Sequence, residues 1–162
     1  MQRVARFEKV SFAEFAANCS AADVEGVYNA IRLPERATTG SAGYDFYAPY
    51  GFSIAPGEEL RIATGIRAEI SDGWVLAIFP RSGLGFKYRL MLNNTVGIID
   101  SDYYRSDNEG HIHIKLYNGG GKRLEVASGE AFAQGIFLPF GITSDDSVTA
   151  IRNGGFGSTT KK

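Results

Sequence analysis

The residues best suited to chemistry in this sequence are carboxylates and arginines set in polar, glycine-rich segments. Their types fit a phosphorylated ligand. Asp100 is a candidate general base. Arg81 and Arg152 can pair with phosphate oxygens in forked geometry. Ser82 and the Gly83 amide can form a small anion-binding nest. Asp45 is a hard oxygen donor, suited to Mg²⁺ directly or through its waters. Phe156 offers a ring face on which a base can stack. Asp102 stands two residues after Asp100, so in an extended strand both would point the same way. One of them is expected to hold a water, and the other to serve as a structural partner.

These residues fall in five segments, at 41–45, 80–85, 94–103, 129–134 and 152–159. Taken singly, each has an ordinary structural reading, such as a turn with a solvated arginine or a turn-capping aspartate. Together they supply what phosphate chemistry needs. His111 and His113 have no cysteine or further histidine nearby. A two-histidine metal site is weighed against a simpler reading, solvent-facing residues on a strand, and the simpler one is preferred.

The elements that must carry these segments are strands. Leu60 to Ile70 alternates apolar and polar residues with a period of two, which predicts one strand with one buried face. Trp74 to Phe79 is a continuous apolar run, as in a strand buried on both faces. Further strands are expected around Ile112, Ile114 and Leu116, over 131–140 and over 148–151. Turn signals separate them at 55–57, 71–73, 118–121 and 128–129. Many short strands at this spacing point to an all-β sandwich or jelly-roll-like barrel. One short helix is expected over 10–18. Ser11 and Glu14 form a capping-box pattern, Val10 and Phe15 a hydrophobic staple, and Phe12, Phe15 and Ala16 an apolar stripe. That helix reads as packed on the outside of the domain.

A length of 162 residues suits one domain. The expected division is an N-terminal extension over 1–26, a β-barrel over 27–151 and a flexible C-terminal arm over 152–162. The arm has a single large apolar side chain, Phe156, and so cannot bury enough surface to order itself alone. The net charge of −1 gives no global basic field, so an anionic ligand needs a local cluster of donors and direct nucleic-acid binding is not expected. A single cysteine, Cys19, rules out an internal disulfide and a Cys-rich zinc site. No apolar run is long enough to span a bilayer, and Met1 to Val10 does not read as a signal peptide, so a soluble, cytoplasmic protein is expected.

In this order and spacing, the five segments resemble the motifs of the trimeric dUTPase family, from about Arg32 to Thr159. The resemblance implies a distorted β jelly roll, a homotrimer with active sites shared between subunits, Mg²⁺ as cofactor, and hydrolysis of dUTP to dUMP and pyrophosphate. That reaction limits uracil entry into DNA and supplies dUMP. The resemblance also implies roles. Asp100 would activate the water, and Asp45 would organise the waters of the metal. Arg81, Ser82, Gly83 and Gln134 would hold phosphates. Asn94 and nearby backbone would read uracil, with Gly97 allowing close approach. Tyr103 would pack on the deoxyribose. Arg152 would reach the terminal phosphate, Phe156 would cover the ring, Gly157 would join the substrate-binding residues, and Ser158 and Thr159 would bind the γ-phosphate. Ser82 and Arg152 join Asp100 as the catalytic set.

The sequence departs from the family pattern after Tyr103, where residues 104–110 look like an insertion and are expected to form a surface loop. Arg152 and Phe156 are also one residue closer than in many members. Two other readings stand beside the first. A dCTP deaminase of the same fold would need a glutamate near 94–103, where this chain has Gly-Ile-Ile-Asp-Ser-Asp-Tyr. A partner-binding regulator built on the same scaffold would use the helix at 10–18 or the insertion.

Overall fold

The computed structural model describes residues 2–152. Along the chain run β1 (Ala5–Lys9), α1 (Phe12–Asn18), α2 (Val24–Ala30), β2 (Glu35–Arg36), β3 (Tyr44–Tyr47), β4 (Phe52–Ile54), β5 (Glu59–Ala63), β6 (Ile66–Ile70) and β7 (Trp74–Pro80). After them come α3 (Ser82–Tyr88), β8 (Leu90–Leu92), β9 (Gly97–Ile99), a 3-10 helix (Ser101–Arg105), β10 (His113–Asn118), β11 (Leu124–Val126) and β12 (Ala131–Pro139). The all-β class expected from the sequence is what the structure has. Among the described residues no helix is long and apolar enough to cross a membrane.

The strands form small antiparallel sheets around one core. The largest has the order β2-β3-β12-β7-β9, and β5-β10-β8, β1-β6 and β11-β4 complete the set. Period-two patterning places Ile62, Ile114 and Leu116 on the buried face, each at most 2% exposed. Phe46, Leu76, Ile78, Leu124 and Phe132 meet them from the other sheets. In the middle of the large sheet, β12 pairs with β7 on one side and β3 on the other, with a bulge between Ala131 and Ala133. This ladder brings Gln134 opposite Asp45 on one neighbour and opposite Phe79 on the other.

Several expectations change. Leu60 to Ile70 is two strands, not one. The chain breaks at Thr64-Gly65, where Gly65 has φ +71° and the next strand leaves for another sheet to pair with β1. A side chain at Gly65 would also meet Ile31 Cδ1 at 2.4 Å. Residues 148–151 form no strand, and Val148 and Ile151 are exposed. The helix at 10–18 is present as α1, and the Ser11 side chain accepts from the Glu14 N–H at 3.2 Å. The reciprocal half of the capping box is absent, because the Glu14 carboxylate turns to Asn18 and His111 instead. α1 lies on the outside of the domain, as expected, and enters the core through Phe15, 0% exposed, with Val10 just before the helix also buried. Phe12 is the exposed edge of its stripe and packs edge-on against Tyr28.

Candidate active site

The structure divides the sequence-derived site residues into two groups. The first group gathers at one end of the β3-β12-β7 ladder. Asp45 on β3 pairs with Arg81, just beyond β7, at 3.1 Å from Oδ1 to Nε. Gln134 stands beside Asp45 in register, and its amide donates to the Pro80 carbonyl at 3.3 Å. Gly43 leaves room for this amide: a Cβ there would lie 2.7 Å from Gln134 Oε1 and would push that side chain aside. Ser82 and Gly83 occupy the first turn of α3, exposed, with amides that a helix does not pair internally. One carbonyl-pinned amide, one guanidinium and first-turn helix amides make an anion-accepting cluster beside one hard carboxylate.

The second group surrounds a cavity of about 360 Å³. Its wall includes Asn94, Gly97, Asp100 and Tyr103 from the third sequence segment, with Ile78, Leu92 and Arg152. A tight turn from β8 to β9 presents this wall. Thr95 adopts φ +69° and its N–H donates to the Leu92 carbonyl at 3.0 Å. Gly97 is where β9 meets β7, and a Cβ there would lie 3.2 Å from Ile78 Cβ. Its lack of a side chain therefore serves the strand pairing, whatever it also does for a ligand.

Asp100 does not sit in an extended strand with Asp102. It caps the 3-10 helix, and both carboxylates turn to Arg152. Arg152 Nη2 lies 2.5 Å from Asp100 Oδ2, and Nε lies 2.9 Å from Asp102 Oδ1. The forked guanidinium spans the two acids as it would span a phosphate. The members of the first group, Asp45, Arg81, Ser82, Gly83 and Gln134, are not on this cavity's wall. Phe156, Gly157, Ser158 and Thr159 lie outside the described residues.

The histidines require correction. His111 is 0% exposed, so it is not a solvent-facing strand residue. Its Nε2 accepts from the Gly65 N–H at 2.9 Å, which fixes the neutral ring's proton on Nδ1, and that N–H donates to Glu14 Oε1 at 3.0 Å. Burial pulls the His111 pKa down to about 4, and burial with the charge of His111 pulls His113 down to about 3. Glu14, His111 and His113 bring ligand-type atoms within 4.8 Å of one another. Both nitrogens of His111 are already committed, however, so this cluster is a hydrogen-bonded core and not a ready metal site.

Sequence reasoning also missed the frame behind Tyr103. Tyr103 is 6% exposed, its hydroxyl donates to the His111 carbonyl at 2.8 Å, and it accepts from Asn108 Nδ2 at 2.8 Å. Burial raises its pKa. Residues 104–110 are no loose surface loop, since Ser106 and Gly110 are buried. Glu109 accepts from the Ser11 amide at 2.7 Å and from the Ser11 hydroxyl at 2.6 Å. Those two bonds hold the Glu109 carboxyl below its usual pKa. Tyr104 donates to Glu8 at 2.6 Å, and Arg67 stacks on its ring at 4.3 Å. Only the Ser11-x-x-Glu14 spacing hinted at this in sequence, and its Glu14 half turns to Asn18 and His111 instead.

Residues 29–160 match the family model described as dUTPase. A deoxyuridine 5′-triphosphate nucleotidohydrolase of Lactococcus lactis subsp. lactis is 42% identical over 132 residues, which cover 80% of this chain and 88% of the relative. That of Tolumonas auensis is 40% identical over 139 residues, covering 81% and 89%. The crystal structure of a dUTPase from Streptococcus mutans superposes with a TM-score of 0.67 at 32% identity, covering 85% of this chain and 98% of that one. A mutant dUTPase from phage phi11 of Staphylococcus aureus, which coordinates a structural Mg(II) ion, shares the fold at 18% identity and a TM-score of 0.66, covering 91% and 98%. The β jelly roll and the ordered site segments thus go with a matched family model and closely related sequences: this chain belongs to the dUTPase family.

Proposed function

We propose that the chain hydrolyses dUTP to dUMP and pyrophosphate, with Asp100 as the base that orients and deprotonates the attacking water. The observation that carries the reading is the 360 Å³ cavity, a size that suits a nucleoside, with Asp100 and the Tyr103 ring on one wall. The Tyr103 hydroxyl is bonded away from the cavity, so the ring offers only apolar surface to a sugar. A 2′-hydroxyl pressed against it would lose its hydrogen bonds, at about 1–3 kcal/mol, which favours deoxyribose over ribose. Asn94 and the backbone beside it supply the polar edge for uracil.

The water attacks the α-phosphorus in line and pyrophosphate leaves. Arg81, Ser82, Gly83 and Gln134 bind and orient the phosphates. Arg152 exchanges its two carboxylate partners for a phosphate, which neutralises charge and releases Asp100 to the water. Phe156 and Gly157 cover the base, and Ser158 and Thr159 bind the γ-phosphate. Asp45 fits a Mg²⁺ ion held through water, since that ion typically takes one or two carboxylates together with substrate phosphates. When bound, the ion supplies positive charge to the triphosphate. The complete site is assembled between copies in a homotrimer; that the phosphate cluster and the nucleoside cavity do not share a wall within one chain supports this reading. Exposed Phe86, at 91%, and Ile98, at 57%, are apolar surface that such assembly would cover. The enzyme works in the cytoplasm.

Asp100→Asn tests the base. Turnover of dUTP should vanish while binding of a non-hydrolysable dUTP analogue persists; turnover within a few fold of the parent would overturn the assignment.

A further inference from the structure

Residues 8–14 precede the residues matched by the family model, yet they hold the loop behind the cavity at each of its bends. Glu8 takes the Tyr104 hydroxyl, Ser11 gives both its amide and hydroxyl to Glu109, and Glu14 takes the His111 N–H. The loop is costly to shape. Glu109 has φ +57° and Gly110 has φ +72°, and a Cβ on Gly110 would lie 2.7 Å from Tyr104 Cα. A non-glycine residue in the left-handed region persists only where its surroundings fix it. Here the two hydrogen bonds from Ser11 do so. Beyond the turn, the His111 backbone N–H donates to the Asn108 carbonyl at 3.0 Å, and the His111 carbonyl receives the Tyr103 hydroxyl. Both bonds of the Tyr103 hydroxyl thus run through residues, Asn108 and His111, that belong to the loop or are tied to the N-terminal segment.

We infer that the N-terminal segment is a selectivity element: through Ser11 and Glu109, it holds Tyr103 against the sugar side of the cavity, and Glu109 is a positioning residue for rejection of ribonucleotides. The inference rests on the dUTP reading above. Neither Ser11 nor Glu109 lines the cavity, so neither touches substrate. Loss of the clamp leaves the Asp100 chemistry in place and lets the Tyr103 wall retreat, which admits a 2′-hydroxyl with its water.

The test compares kcat and KM for dUTP and UTP in the full-length parent, Glu109→Ala, Ser11→Ala, the double variant and Glu109→Gln. Both alanine variants should lower the dUTP-to-UTP ratio of kcat/KM by about ten-fold or more, mainly by lowering KM for UTP, with kcat for dUTP within about three-fold. The double variant should lose no more than the worse single one, as expected for two halves of one contact. Glu109→Gln, which can still accept from the Ser11 amide, should restore most of the ratio. A ratio that stays at the parental value in folded alanine variants, or a fall in kcat shared equally by both nucleotides, would overturn the inference. A parent that discriminates while the variants match it leaves the dUTP reading standing; a parent inactive on dUTP removes both.

Discussion

Acidification should weaken this fold through His111, and the size of the effect follows from its surroundings. Burial lowers its pKa from 6.5 to about 4, with the charge of Glu109 acting against the shift and Arg61 adding to it. The unfolded chain therefore binds the proton more readily across that window. Stability from keeping the ring neutral is present in full above the unfolded value and is lost as pH falls towards the folded one. Between neutrality and about pH 5 the loss is about 2 kcal/mol, and the full shift is worth about 3 kcal/mol. The first figure corresponds to a fall in melting temperature of roughly 4–8 °C for a domain of this size. His113, pulled down to about 3, adds to the same trend. Comparison with His111→Gln isolates the His111 part, because a glutamine can take the Gly65 N–H but does not titrate. Melting temperatures of both proteins, measured from about pH 7.5 to 4.5, should converge as pH falls. Parallel curves would refute the placement of a neutral His111 between Gly65 and Glu14.

Gly110→Ala should cost roughly 2–4 kcal/mol, since it combines a left-handed backbone with a clash against Tyr103 and Tyr104 backbone atoms; an unchanged denaturation midpoint would count against the loop geometry. Phe132→Ala empties a fully buried site and should cost about 3–5 kcal/mol by chemical denaturation. Arg81→Lys keeps the charge but loses the fork, so it should raise KM for dUTP by about ten-fold while the melting temperature moves by less than about 2 °C, because its partly exposed pair with Asp45 contributes little stability. A parental KM in that variant would remove Arg81 from phosphate binding.

What the sequence revealed, and what it hid, follows from how each signal arises. The buried faces of β5, β7, β10 and β12 were legible because alternation or a long apolar run is itself the consequence of burial. The break at Gly65 was hidden because Thr64 and Gly65 continue the alternation; only the positive φ and the hydrogen bond to His111 reveal it. Three-residue strands such as β4, β8, β9 and β11 are too short for a period. The short helix α3 carries Gly83 and Gly85, which weaken helix propensity, so its segment read as a loop. Val148 to Ile151 has strand-type residues but no neighbouring strand among the described residues, and pairing rather than composition makes a strand. For the site, Asp45, Arg81 and Gln134 were each readable as residue types, and the ladder then joined them. The clamp on Tyr103 was not readable, since it joins residues about a hundred positions apart through side-chain bonds that leave no periodic trace.

The central position of β12 has a consequence for how this protein can change over evolutionary time. Gln134 meets Asp45 only in the present register, and a slip by one residue would turn Gln134 to the opposite face and bring Ala133 or Gly135 into its place. The placement of Gln134 beside Asp45 is thus all-or-nothing: the register keeps it whole or loses it. The nucleoside end hangs on individual side-chain bonds around residues 104–111, and each can be altered alone. Descendants of this chain can therefore drift in which sugar or base they accept, by single substitutions, while the strand register that sets Gln134 beside Asp45 stays fixed.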